Sequence, residues 1–358
     1  MPEDSLADFI TSVSGDDQLA IEENLGDGFV KLRIAEAERR QAKHDIRSVE
    51  DIVIEMLRNA RDAHARHIYI AISRAGQKKT LVFLDDGDGI PEHMHEAIFE
   101  PRVTSKLESM VMDRWGVHGR GMALYSIKSN TESAVVLSSG EELGSSFQVV
   151  ADLDELSEKA DQSTYPTLYR DDDDVLQVGR GPHNVIRTAV EFALASKDRV
   201  SVYLGSPTDI LAELVRSGRK RLSDEQLLFC DDMSTLPVCL RPAAAGDALE
   251  LVDIAESIGL GVSERTAHRI MAGQIDPCPL LLTQVMPERK TRIKNAPVDI
   301  LRDSRGLKIA KEDEERFSRS LETAFQTIAE RYYLELADKP KIRVGKDAIT
   351  VKFPIEKQ

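Results

Sequence analysis

Glu55, Asn59 and Asp62 fall at i, i+4 and i+7 of the run Val-Glu-Asp-Ile-Val-Ile-Glu-Met-Leu-Arg-Asn-Ala-Arg-Asp-Ala, so on a helix they stand in one row. A carboxylate can take a proton from water, and an amide oxygen beside it can hold a hard cation. Alone, such a row is equally a solvated polar edge. A second segment, Leu84-Asp85-Asp86-Gly87-Asp88-Gly89-Ile90, has glycines that let the backbone reach positive φ and approach a ligand closely. In isolation it reads as a tight turn or a calcium loop. An EF-hand, however, needs a glutamate at its twelfth position and a preceding helix, and here an apolar strand precedes. The third segment is Trp115-Gly116-Val117-His118-Gly119-Arg120-Gly121-Met122, three glycines leading into a helix start. That geometry offers backbone N–H groups and a positive helix end to phosphate. It is neither G-x-G-x-x-G nor a loop ending in Lys-Ser/Thr.

Positioning the first row falls to a helix over 48–65, with Ser48 and Asp51 spaced as a capping box. Around it Val53, Met56, Leu57, Ala60 and Ala63 form an apolar stripe, while Arg58 and Arg61 point elsewhere, toward solvent. Alternation predicts strands at 68–72 and 81–84, a helix over 121–128, and further strands at 134–137 and 147–150. A polar linker follows, and its run Asp171-Asp172-Asp173-Asp174 repels itself and favours a solvated loop. Residues 182–235 alternate helix, strand and helix, and 236–300 read as mostly helical. A long helix over 311–336 and two strands, 341–344 and 348–353, come last. The expected organisation is a flexible tail over 1–20, an α/β domain over 21–155 and an acidic linker over 156–181. A mixed α/β then helical region over 182–300 and a C-terminal unit over 301–358 follow.

Bulk properties bound the function. With 358 residues the chain has room for two or three domains, and 41% hydrophobic with 30% charged residues is ordinary for a globular protein. It has no apolar run long enough to span a membrane, and the acidic N-terminal residues lack the features of a secretory signal, so a cytoplasmic protein with no membrane partner is expected. Cys230, Cys239 and Cys278 have no C-x-x-C spacing and read as buried thiols. The net charge of −15 repels phosphate backbones, so any nucleic-acid contact must come from a local patch.

Taken in order, the three segments resemble the N, G1 and G2 boxes of the GHKL superfamily, which comprises gyrase B subunits, heat-shock chaperones, histidine kinases and MutL mismatch-repair ATPases. Glu55-x-x-x-Asn59-x-x-Asp62-Ala63 resembles the N box, Asp85-x-Gly87-x-Gly89 the G1 box and Gly116-x-x-Gly119-x-Gly121 the G2 box. Val103-Thr104-Ser105-Lys106 is similar to a threonine-serine-lysine segment of MutL, and Gly144-Ser145-Ser146-Phe147 to the strand start that closes the adenine pocket. The resemblance covers roughly 45–153 and implies an α+β fold, a Bergerat-type two-layer sandwich, followed by the mixed α/β and helical C-terminal region. It implies ATP and Mg²⁺ as ligands. Asp85 would accept from the adenine amino group, assisted by Ser145 or Ser146, and Asn59 would hold Mg²⁺ against the phosphates. Lys106 and the lid backbone of Gly116, Val117, His118, Gly119, Arg120, Gly121 and Met122 would meet the β- and γ-phosphates. Glu55 would act on the attacking water, and Asp62 would brace the site. Ile90 and Thr104 complete the ATP-binding set. Two departures stand out: Asp86 where MutL-like sequences often have asparagine, and Ser145 in place of threonine.

Phe99-Glu100-Pro101 resembles the F box of sensor histidine kinases. The nearest phosphoacceptor, His44, lies eleven residues before Glu55, only about 16 Å along a continuous helix, and reads as a surface residue. A slow ATPase working as a conformational switch, through a homodimer formed on ATP binding or a protein partner, is therefore favoured over a kinase. An ATP-liganded DNA-binding regulator is the third class. For it, Gly261-Val262-Ser263-x-x-Thr266-Ala267-x-Arg269 resembles half of a helix-turn-helix, but the long turn favours a packed helical hairpin. Basic clusters at Arg216–Arg221 and between Glu288 and Lys311 keep DNA open as a partner.

Overall fold

A computed structural model describes residues 21–34, 36–42, 44–105, 111–113, 116–118, 121–171, 175–223, 232–286, 311–344 and 349–357. The chain forms two compact units, Met1–Glu288 and Arg289–Gln358. The expected tail over 1–20 and the basic cluster between Glu288 and Lys311, up to Lys311 itself, lie outside the described residues.

The first unit opens with a hairpin, β1 (Ile21–Gly26) and β2 (Phe29–Leu32), and a short helix, α1 (Glu36–Ala42). Helix α2 (Val49–Asp62) starts where its capping residues predict, the Asp51 carboxylate accepting from the Arg47 and Ser48 N–H groups at 2.9 Å each. Strands β3 (His67–Ala75) and β4 (Lys78–Asp85) form a hairpin. Next, β5 (Val103–Thr104) pairs back onto β2, and β6 (Val111–Asp113) pairs with β7 (Gly116–His118). Helix α3 (Ala123–Asn130), β8 (Ser133–Ser139) and β9 (Ser145–Asp152) complete this half. The predicted linker carries a small hairpin, β10 (Leu168–Arg170) with β11 (Leu176–Val178), and Asp172, Asp173 and Asp174 of the acidic run lie outside the described residues.

Beyond it come α4 (Val185–Ala195), β12 (Ser201–Gly205), α5 (Pro207–Gly218), α6 (Arg241–Ala244), α7 (Ala248–Ser257), α8 (Glu264–Met271) and α9 (Leu281–Val285). The central sheet runs β12-β3-β4-β9-β8, antiparallel except that β12 lies parallel to β3. Its two faces are both buried. Ile68, Ile70, Leu81, Phe83, Phe147 and Val149 face α2, α4 and α9, forming the α+β sandwich expected of this region. Tyr69, Ala71, Val82 and Leu84 point the other way into α5, α7 and α8. Residues 182–286 thus add an edge strand and a second helical layer to the sheet, where the sequence suggested a region beyond a linker.

That arrangement corrects the reading of Arg58 and Arg61. Helix α4 packs along α2, with the Arg61 guanidinium 5.8 Å from the Phe192 ring centroid, and Arg58, beside Glu55 at the cavity, is only 2% exposed. The predicted helix-turn-helix segment is a hairpin that buries Ala255, Leu260, Ala267 and Ile270 against the sheet. Cys239 and Cys278 are buried free thiols, and Cys230 lies outside the described residues.

In the second unit α10 (Lys311–Tyr332) ends four residues earlier than the predicted 336. Tyr333 takes a φ of +53°, and Leu334–Leu336 leaves the helix as β13, paired with β16 (Ile355–Lys357). Strands β14 (Lys341–Val344) and β15 (Ile349–Lys352) form a second ladder, and Phe325 stacks on Phe353 with centroids 5.0 Å apart. Among the described residues no helix is long and apolar enough to cross a membrane.

A chain cut within the linker would bare Tyr69, Ala71, Val82 and Leu84 and free the β3 edge. Residues 21–160 alone should therefore bind a hydrophobic dye and unfold without a cooperative transition, whereas 21–288 melts as one unit. Calorimetry and dye fluorescence on the two fragments check this.

Candidate active site

One cavity of about 750 Å³ collects most of the predicted residues. The α2 row delivers Glu55, Asn59 and Asp62 to its wall. The last residue of β4 is Asp85, the turn after it delivers Gly89 and Ile90, and β9 delivers Ser145. Thr104 comes from β5, and Gly121 and Met122 from the start of α3. Ile54, Ile98 and Phe147 make part of the surface apolar. A size of several hundred Å³ with an apolar lining and a few aimed polar groups suits a small-molecule ligand.

Asp85 is 5% exposed and pairs with Ser145 across the β4–β9 ladder. Its carboxylate accepts from the Gly87 N–H at 2.9 Å and from the Ser145 hydroxyl. Ser146, one residue on, faces the opposite side and donates to the Ile258 carbonyl at 2.8 Å. The strand's two-residue period therefore assigns the serine beside Asp85 to Ser145 alone. Gly87 lies behind the cavity wall, where an added Cβ would meet the Ala63 carbonyl oxygen at 2.3 Å. At Gly89, with φ +74°, a Cβ would meet the Gly140 oxygen at 1.9 Å. Both glycines are thus steric requirements of the turn.

On α2, Arg58 Nη1 donates to Glu55 Oε1 at 2.7 Å, with the Arg58 side chain 3% and that of Glu55 22% exposed. This partner was not legible from the helix pattern. Phe29, from the N-terminal hairpin, also lines the cavity without a sequence signal. His44, predicted as a surface residue, is exposed and stands at the cavity wall.

The lid differs in part from its prediction. Gly116, Val117 and His118 form β7, and α3 begins at Ala123, two residues beyond Gly121. Gly121, with φ +66°, approaches the Val103 oxygen so closely that a Cβ would sit 2.7 Å away. Lys106, Gly119 and Arg120 lie outside the described residues. Among the described residues no group of three or more His, Cys, Asp or Glu could hold a metal ion. The Asn59 amide on the cavity wall offers the kind of oxygen donor that a hard cation such as Mg²⁺ takes.

Asp86, the departure noted in the G1 turn, points out of the cavity. Its carboxylate accepts from the Arg66 and His67 N–H groups at 2.8 Å each and meets His67 Nδ1 at 2.7 Å and Arg221 at 3.5 Å. Burial pushes its pKa up, but the His67 ring and backbone outweigh that and hold it below the ordinary carboxylate range.

With this geometry in place, residues 44–155 match the family of histidine kinase-, DNA gyrase B- and HSP90-like ATPases. The DNA mismatch repair protein MutL of Thermus aquaticus is 40% identical over 82 residues, which are 23% of this chain and 15% of that protein. A MutL protein of Thermus thermophilus is 41% identical over 81 residues, 23% of this chain and 14% of its own length. Residues 44–155 are thus a GHKL-type ATPase domain with MutL-like sequence. The chain spans about one seventh of the length of these relatives.

A depressed pKa means that Asp86 stabilises the fold above the unfolded carboxyl pKa, a contribution lost as pH falls through the folded value. Asp86→Asn should therefore cost about 1–2 kcal/mol at pH 7, with the difference from wild type shrinking toward pH 3. Denaturant melts across that range test it.

Proposed function

We propose that the chain binds ATP with Mg²⁺ in this cavity and hydrolyses it slowly, as a switch for the rest of the molecule. The observation that carries the reading is that a buried, hydrogen-bonded aspartate and the Glu55–Asn59 row open onto one cavity of nucleotide size. Asp85 accepts from the adenine amino group, with the Ser145 hydroxyl fixing the carboxylate. The apolar wall of Ile54, Ile90 and Phe147 takes the purine. Asn59 holds Mg²⁺, which when bound neutralises charge on the phosphate oxygens. Lys106, Thr104 and the backbone of 116–122 hold the phosphates. Glu55 orients the attacking water and accepts its proton, and Asp62 braces the row from the next turn.

The similarity to MutL proteins supports a product that is a conformational state, read out through a homodimer or a protein partner. DNA remains a second partner class, supported by the exposed basic end of α5 at Arg216, Arg219, Lys220 and Arg221. Phosphotransfer is the rival chemistry, favoured by one observation, that His44 stands at the cavity wall. Incubation with γ-labelled ATP separates the two. Free phosphate with no labelled protein supports the hydrolase, and acid-labile label on the chain supports the kinase.

Glu55→Gln should lower kcat on the order of 10²-fold or more while nucleotide affinity stays within about threefold. Phosphate release at the wild-type rate would remove Glu55 from the chemistry. Asn59→Ala should abolish the Mg²⁺ dependence of nucleotide binding, measured by titration calorimetry with and without the ion.

A further inference from the structure

The adenine end of the cavity is held in place from behind. The β8–β9 turn, residues 139–144, interlocks with the turn after β4. Ser139 Oγ accepts from the Ile90 N–H and donates to the Gly144 oxygen, each at 2.8 Å, and the Glu142 N–H donates to the Asp88 oxygen at 2.6 Å. Gly144, at φ +72°, lies so close to Asp85 that a Cβ would meet the Asp85 oxygen at 2.2 Å. Whatever fixes the β8–β9 turn therefore also fixes Asp85 and Ile90.

Two contacts fix that turn, and both come from the far side of the sheet. The Val238 N–H donates to the Leu143 oxygen at 2.8 Å. Arg241, at the start of α6 and 8% exposed, donates from Nη1 to Ser138 Oγ at 2.5 Å. Its Nε donates to the Leu236 oxygen at 2.9 Å and its Nη2 to the Ser234 oxygen at 3.1 Å. Burying a guanidinium is costly unless its donors are satisfied. Here the planar fork ties the 234–236 backbone to the strand residue just before the turn. A Lys in its place has one nitrogen and cannot span the three acceptors.

We propose that Arg241 is a positioning residue for the nucleotide site: through Ser138 and the β8–β9 turn it holds the purine-binding groups in place without touching the ligand. The proposal rests on the ATP reading above. Because the brace acts at the purine end, its loss weakens every adenine nucleotide by the same factor and leaves the phosphate chemistry intact. A binding loop that must order itself on ligand contact binds more weakly than one already ordered.

The test measures ATP and ADP affinity by calorimetry, and kcat at saturation, for wild type, Arg241→Met, Arg241→Lys and Ser138→Ala. Arg241→Met should weaken both nucleotides about tenfold, the order expected for loss of one charged hydrogen bond, with kcat within twofold. Arg241→Lys should fall between it and wild type. Ser138→Ala removes only a hydroxyl, so it carries the test even where Arg241→Met folds poorly, and it should shift both nucleotides in parallel. Wild type that binds nucleotide beside variants that match it within twofold overturns the inference alone, as does a loss confined to ATP. Wild type that binds neither nucleotide overturns the ATP reading itself.

Discussion

Taking a carboxylate out of water is expensive unless hydrogen bonds to its charged form replace the lost solvent. Asp85 meets that requirement with the Gly87 N–H and the Ser145 hydroxyl, and most of the local backbone follows from it. Gly87 must lack a side chain to bring its N–H back under Asp85 against the Ala63 carbonyl. Gly89 and Gly144 must be glycines for the two turns to pack backbone against backbone, at the Gly140 and Asp85 carbonyl oxygens. Ser145 must sit directly opposite Asp85, which the antiparallel register of β4 and β9 provides. The wall of the cavity is thus assembled from residues far apart in sequence that meet around one buried carboxylate.

That constraint explains why so much of the site was legible in the amino-acid order alone. Glycines whose Cβ would collide with backbone leave a fixed pattern, and a helix row at i, i+4 and i+7 leaves another. Local rules also placed the start of α2, because the Asp51 carboxylate caps it within four residues. Long-range packing was not legible. Periodicity separates Arg58 and Arg61 from the apolar stripe, but it cannot reveal that Phe192 of α4, more than a hundred residues on, covers Arg61, or that Arg58 is buried beside Glu55. The five-residue strand β12 carried no mark of its partner, and its parallel pairing with β3 turned an expected separate region into part of the sheet. At the end of α10 a strand partner outcompeted helix propensity, since Leu334–Leu336 gains a ladder with Ile355–Lys357.

Asp86 illustrates how a motif position can be right in place and different in role. One residue from the cavity aspartate, it turns its carboxylate to the opposite side. There it caps the start of β3 through the Arg66 and His67 N–H groups and meets Arg221 from the region after α5. An asparagine could accept the same two backbone bonds through its side-chain oxygen. Only a charged carboxylate gains from His67 and Arg221 in addition. The substitution therefore belongs with the second helical layer, not with nucleotide chemistry.

The two ends of the cavity are accordingly built on different principles. The Asp85 end is a long antiparallel pairing of two strands, held by turns that interdigitate and by the Val238 N–H, the Ile258 carbonyl and the Arg241 side chain from residues 232–260. Among the described residues, the Thr104 and Gly121 end is built on the two-residue strand β5 paired with β2, and on the Arg102 N–H, which donates to the Gly121 oxygen at 2.8 Å. On the ATP reading proposed above, the purine would take the Asp85 end and the phosphates the Thr104 and Gly121 end.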